Sequence, residues 1–384
     1  MPAPASSTVD GRPRARGLGI PFAGRPGPVN AITDVTGVEV GYTTLVHGEG
    51  PLRSGEGPVR SGVTAILPRG RSKPAQPCAA GWFALNGNGE MTGTSWIEEV
   101  GALTTPVLIT NTHAVGPCHQ GAIDWMVGRG PARGWLMPVV AETFDGYLND
   151  INGGHVRAEH AVSALESAAG GPIAEGSVGG GTGMNCYGFK GGSGTASRLV
   201  RHGADEYAVG AFVQANFGAR RHLTVAGRPV GLRIAAENPM EDRGWLAPPG
   251  AGSVIVVVAT DAPLLPGQCK ALARRVPLGL GRTGTIGSHF SGDLFLAFST
   301  ANEGALTSEF DSDRTYETLR FVPWGGINPF YEAVIQCVEE AVLNALVVNE
   351  TMVGRDGHRS PALPHDELLR CLREGNVELG EPTS

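Results

Sequence analysis

Lysine is nearly absent from this chain: only Lys73, Lys190 and Lys270 stand among its 30 basic residues, the others being arginine. We read that bias as genomic composition and attach no function to it. Charged residues of all kinds make up 17%, below the usual quarter of a globular protein. With 37 acids against 30 bases the net charge is -7, which argues against a nucleic-acid-binding surface and against a polybasic membrane patch. No run of eighteen apolar residues occurs, so a transmembrane helix is not expected. The N-terminal stretch carries arginines without a following apolar segment, unlike a secretory signal. The six cysteines are scattered and none forms a CxxC pair, a pattern that suits reduced, packed thiols in the cytoplasm. HExxH, GxxxxGK[ST] and GxSxG are all missing, which removes the zincin helix, the P-loop and the nucleophile elbow.

Glycine is what the chain has in excess, 58 of 384 residues, without the G-X-Y period of collagen. Such a content points to tight turns and close backbone approaches. Residues 1–16 are polar, Pro-rich and without period, and read as a disordered tail ahead of a single domain over 17–384. Strand patterns occur at 38–46, 62–68, 105–110, 207–218, 253–261 and 293–300, and an apolar run at 135–143 enters a polar loop. Helical patterns occur at 117–127, 155–168, 266–276 and 365–374, and the longest starts at the Asn328-Pro329 cap and runs to about 349. Irregular alternation of strands and helices predicts layered sheets with covering helices. Residues 176–194 hold nine glycines and read as a turn-rich scaffold loop. Gly279 to Gly284 fit GxGxxG but open no helix, so a turn is expected there in place of a dinucleotide site. His113, His119, His155, His160 and His289 match no metal-ligand spacing, and neither metal nor cofactor is expected.

One segment carries chemistry. Pro248-Pro249-Gly250-Ala251-Gly252 is a small-residue loop that delivers Ser253 onto the first position of an apolar strand. Cleavage of the Gly252–Ser253 bond would give Ser253 both a hydroxyl and a free α-amine. An α-amine with a pKa of about 7.7–8.0 can act as a base near neutrality without histidine. Glycine before the serine leaves its carbonyl open to the hydroxyl, the first step of an N→O acyl shift. Taken alone, the segment is better read as a turn entering a core strand.

Six collinear blocks extend the argument: 26–45 (PGPVNAITDVTGVEVGYTTL), 141–153 (AETFDGYLNDING), 213–218 (VQANFG), 250–268 (GAGSVIVVVATDAPLLPGQ), 291–302 (SGDLFLAFSTAN) and 327–358. Through them the chain resembles the DmpA/BapA family of self-processing N-terminal-serine aminopeptidases, which includes L-aminopeptidase/D-esterase-amidases and β-aminopeptidases. The resemblance implies a four-layer αββα sandwich of the DmpA/ornithine-acetyltransferase kind, like an Ntn hydrolase with different connectivity. It implies autocleavage into an α chain (1–252) and a β chain (253–384), a homotetramer of such pairs, and a small peptide or amide substrate with a free amine. Ser253 then matches the nucleophile and Asn216 an oxyanion-stabilising amide. Ser291 matches a serine that contacts the nucleophile and relays its proton, and Asp293 stands where relatives carry glutamate. Glu142 matches the acid that holds the substrate's amino group. Phe144 stands where the DmpA-like pattern has tyrosine, and Tyr147 is the nearest phenol that could replace the missing hydroxyl. Two alternatives remain at this stage: an acyltransferase of the ornithine acetyltransferase type, whose nucleophile is threonine, and an uncleaved scaffold without catalysis.

Overall fold

Valine-rich strands bounded by glycine turns build two sheets, and the helices pack outside them. The computed structural model describes residues 6–129, 135–240, 252–308 and 314–381. The loop residues Pro248 to Ala251, and residues 1–5 of the expected tail, lie outside the described residues. The first half runs β1 (Glu39–His47), β2 (Val59–Leu67), β3 (Cys78–Ala84), α1 (Thr94–Val100), β4 (Ala102–Leu103), β5 (Val107–Asn111), α2 (Val115–Val127), β6 (Val139–Thr143) and α3 (Ala158–Glu166). The short strands β7 (Asn185–Cys186) and β8 (Phe189–Lys190) follow, then β9 (Gly192–His202), β10 (Asp205–Asn216) and β11 (Gly252–Thr260). The chain finishes with α4 (Pro266–Ala273), α5 (Val276–Arg282), β12 (Ser291–Ser299), α6 (Asn328–Val347) and α7 (His365–Glu374).

One sheet has the order β1-β2-β5-β6 and the other β4-β3-β12-β11-β10-β9. Three apolar clusters fix the layers. Val107, Ile109, Val139 and Ala141 of the first sheet meet Phe212, Ile255, Val257 and Leu294 of the second. On its other face the first sheet buries Leu108 and Val140 against Cys118 and Ala122 of α2 and Ala161 of α3. The second sheet buries Val254, Val256 and Phe295 against Leu272 of α4, Leu280 of α5 and Val334, Val338 and Ala341 of α6. The arrangement is the expected αββα sandwich. β11 is central and covered on both faces, which is why its sequence is an unbroken apolar run instead of an alternating one.

Three local expectations are corrected. Residues 6–16 are ordered against the body of the protein. Arg14 is buried, 2.7 Å from Glu175, and the Ala15 amide donates to Asn344 of α6 at 3.0 Å. Ion pairs anchor this segment, so its apolar content gave no signal. The GxGxxG match is a turn only at its end: Gly279 and Gly281 lie inside α5, and Thr283-Gly284 turn the chain after it. A Cβ on Gly279 would fall 2.7 Å from the Val338 Cβ, so glycine there lets α5 lie close on α6. Finally, β3 and β9 went unread because each is rich in small residues. A Cβ on Gly194 of β9 would come within 2.0 Å of the Ala341 carbonyl, so α6 rests directly on the strand backbone.

Candidate active site

Ser253 is the second residue of β11 and almost wholly buried. The register puts Asn216, the last residue of β10, directly across from it and Gly292 of β12 beside it. Gly252 pairs with Ser291. Glycine at 252 is demanded by space: a Cβ there would lie 2.0 Å from the Asn216 carbonyl oxygen. The sequence argument asked for glycine because of its open carbonyl; the structure adds a steric reason.

Strand alternation sorts the side chains. Ser253 belongs with Ile255 and Val257, which face the crevice between the sheets. Ser291 and Asp293 belong with Phe295, on the opposite face of the same sheet. Ser291 Oγ donates to Asp293 Oδ1 at 2.5 Å, and Asn86 Nδ2 donates to Asp293 Oδ2 at 2.9 Å. Ser291 therefore flanks the Gly252–Ser253 bond, and in the continuous chain its hydroxyl is given to Asp293. The register sets Ser291 beside Gly252, one residue before Ser253, and one residue of offset along a strand reverses the face. The shorter aspartate reaches its serine. Burial pushes the Asp293 carboxyl above the usual range, against the hydrogen bonds from Ser291 and Asn86.

The Asn216 carboxamide is held at both ends. Its Oδ1 accepts from the Asn185 amide at 2.8 Å, and its Nδ2 donates to the Phe144 carbonyl at 2.9 Å. These partners fix which end of the group is the donor, and they leave the second Nδ2 hydrogen uncommitted among the described residues.

Glu142 is the next-to-last residue of β6 and is buried. Its carboxylate accepts from the Glu90 amide at 3.0 Å and from the Thr112 hydroxyl. No lysine or arginine pairs with it among the described residues. Burial pushes its carboxyl above the usual range, and the Thr112 and Glu90 hydrogen bonds oppose that shift. The turn carrying Asn86 and Glu90 joins the two acids. A Cβ on Gly89 would sit 2.7 Å from the Gly292 Cα and 3.3 Å from Glu142 Oε1, so only bare backbone fits between them.

Phe144 is partly exposed, and its ring lies over Gly146, where a Cβ would fall 2.4 Å away. Tyr147 is buried, donates its hydroxyl to the Arg359 carbonyl at 3.2 Å, and stacks on His358 at 4.7 Å. It is committed to the fold and does not replace the hydroxyl missing at Phe144. His155 is paired with Asp150 at 2.9 Å, and among the described residues no three His, Cys, Asp or Glu side chains form a metal cage. Sequence reasoning missed Asn86, Thr112, Asn185 and the Glu90 amide. Only the Asn-Gly-Asn-Gly turn at 86–89 offered a local signal.

A serine at the start of a doubly covered strand, an oriented amide opposite it and a buried acid with no lysine or arginine partner among the described residues define a hydrolase of the N-terminal-nucleophile class. Comparison with known proteins agrees. The family model for peptidase family S58 matches residues 30–360. The chain is 51% identical to the β-peptidyl aminopeptidase BapA of Sphingosinicella microcystinivorans over 370 residues, 94% of this chain and 92% of the relative. Its structure matches that of the L-aminopeptidase D-Ala-esterase/amidase of Ochrobactrum anthropi, described as a new variant of the Ntn hydrolase fold. That match has a TM-score of 0.88 and 46% identity, and covers 95% and 99% of the two chains. A Burkholderia sp. β-aminopeptidase matches with a TM-score of 0.86 and 45% identity over 94% of this chain and 98% of the other.

The chain belongs to peptidase family S58. It is a self-processing serine aminopeptidase, and the acetyltransferase and scaffold alternatives fall away.

Proposed function

We propose that the chain is cut between Gly252 and Ser253, and that Ser253 then removes N-terminal residues from short peptides, amides or esters. In this reading the Ser253 hydroxyl attacks the carbonyl that follows a free N-terminal amine, and its own α-amine takes the proton. The free Nδ2 hydrogen of Asn216 stabilises the oxyanion. The protonated amine gives its proton to the leaving group, and water activated by the same amine then hydrolyses the acyl-enzyme. Ser291 and Asp293, beside the bond to be cut, assist proton movement there.

The observation that carries this reading is Glu142, a buried carboxylate at the edge of the site that no lysine or arginine pairs with among the described residues. The ammonium of an aminopeptidase substrate would supply the missing charge. Two relatives named β-peptidyl aminopeptidases make an N-terminal β-amino acid the first substrate class to try, with L-amino-acid amides and D-alanyl esters beside it. A cytoplasmic location fits six buried free cysteines. A homotetramer of two-chain units rests on the family resemblance, and light scattering in solution tests it.

Ser253→Ala tests the core of the proposal. The unmutated protein should give two bands on a denaturing gel, the smaller beginning Ser-Val-Ile-Val-Val-Val, while the variant stays whole and inactive. A variant that still splits at this bond would refute the assignment.

A further inference from the structure

Lys190 is wholly buried at the end of β8. No carboxylate pairs with its ammonium among the described residues. It donates instead to the backbone carbonyls of Gly191 at 2.7 Å, Met184 at 3.0 Å and, more distantly, Gly181 at 3.5 Å. Burial pushes this lysine down to about 7. A buried cation balanced only by backbone dipoles is expensive to keep, and replacing it with an apolar side chain of similar volume would ordinarily be tolerated.

Its neighbours give the charge a use. The Met184 carbonyl and the Asn185 amide belong to one planar trans peptide group. At one end that group accepts from Lys190; at the other it donates to Asn216 Oδ1 at 2.8 Å. The hydrogen bonds thus run in series from the ammonium, through one peptide and one carboxamide, to the uncommitted Nδ2 hydrogen. In such a chain each donor polarises the next. The glycine-rich segment makes the approach possible: a Cβ on Gly191 would fall 2.3 Å from the Ala215 carbonyl, so the loop lies directly against the end of β10.

We propose that Lys190 is a positioning residue for the reaction, holding and polarising the 184–185 peptide so that Asn216 presents a fixed, strengthened donor to the oxyanion. The proposal rests on the reading of Asn216 given above. It also assigns a role to the glycine-rich segment, whose backbone becomes the link between a buried charge and the site.

The test compares Lys190→Met, Lys190→Gln and Asn216→Ala with the parent on an amide whose acylation is slow. Rates are expressed per cleaved chain, so that any defect in self-processing is divided out. Removing an oxyanion donor lowers kcat by about 10²–10³-fold, and weakening one should lower it by roughly tenfold. Lys190→Met should show that loss with KM within about twofold of the parent, because the oxyanion exists only in the transition state. Lys190→Gln, which keeps two donors without the charge, should fall between. Parental kcat in Lys190→Met alongside an impaired Asn216→Ala overturns the role of Lys190 alone; parental kcat in Asn216→Ala overturns the oxyanion reading itself. A loss confined to KM also overturns the proposal. Should Lys190→Met fail to fold, Lys190→Gln decides, and parental kcat there has the same meaning.

Discussion

Replacing Glu142 by glutamine should lower activity and raise stability at once. The amide is nearly isosteric: its oxygen can still accept from the Glu90 amide and its NH2 can face the Thr112 hydroxyl, so the local hydrogen bonds survive. What disappears is the charge. A hydrogen bond to a charged group contributes about 1.5–3 kcal/mol, so kcat/KM for a free-amine substrate should fall roughly 10- to 160-fold. An N-acetylated substrate has no ammonium to lose and should be turned over slowly and equally by both enzymes. Stability moves the other way. Burial raises the folded-state pKa of Glu142 above its unfolded value. A group shifted in that direction favours folding below the unfolded pKa and loses the contribution as pH rises through the folded pKa. At neutral pH the ionised carboxylate therefore destabilises the fold, and glutamine relieves it. The melting temperature should rise at pH 7, by about 1 °C per kcal/mol for a chain of this size, and the gain should vanish below about pH 4. Melting is best compared in a Ser253→Ala background, where both chains stay continuous. An equal loss on free and acetylated substrates, or a lower melting temperature at pH 7, would refute the assignment of Glu142 to the substrate amine.

Gly252→Ala should block or strongly slow self-processing, because a Cβ 2.0 Å from the Asn216 carbonyl forces β10 and β11 apart; a gel showing parental cleavage would count against the steric argument. Glu340→Ala should destabilise the fold by about 3–5 kcal/mol, since Arg198 at 2.7 Å and Arg16 at 2.7 Å would lose a buried partner. Burial pushes the Glu340 carboxyl up, but Arg198 and Arg16 outweigh it and hold it below the usual range. Its stabilisation is therefore present above the unfolded value and lost as pH falls through the folded one, and denaturant titrations of parent and variant should converge in acid. Activity should survive chelators, because the proposed base is an amine; loss on EDTA treatment restored by Zn²⁺ or Mn²⁺ would contradict the mechanism.

Much of this molecule is written locally. Apolar runs place β11 and β12, and the Asn-Pro start and long apolar face place α6, because strand and helix periods depend only on neighbours in sequence. The place of Ser253 at the start of β11 was legible for the same reason. The reach of Arg14 to Glu175, across 161 residues, was not, nor was the passage of Gly279 and Gly281 into a helix. Both depend on partners that only packing brings near. Motif matching put Ser291 and Asp293 at the site, but the pleat decided that they face away from Ser253 and flank the bond before it. Asn86, Thr112 and Asn185 carry no signature of their own, since a backbone or side-chain hydrogen bond acquires its role from what the fold sets opposite it. The sequence by itself determined the strand that Gly252 and Ser253 open and the layered sheets. Which end of Asn216 donates, how Glu142 is buried against the Glu90 amide and the Thr112 hydroxyl, and where the charge of Lys190 leads were decided by tertiary structure, because each is a relation between residues far apart in the chain.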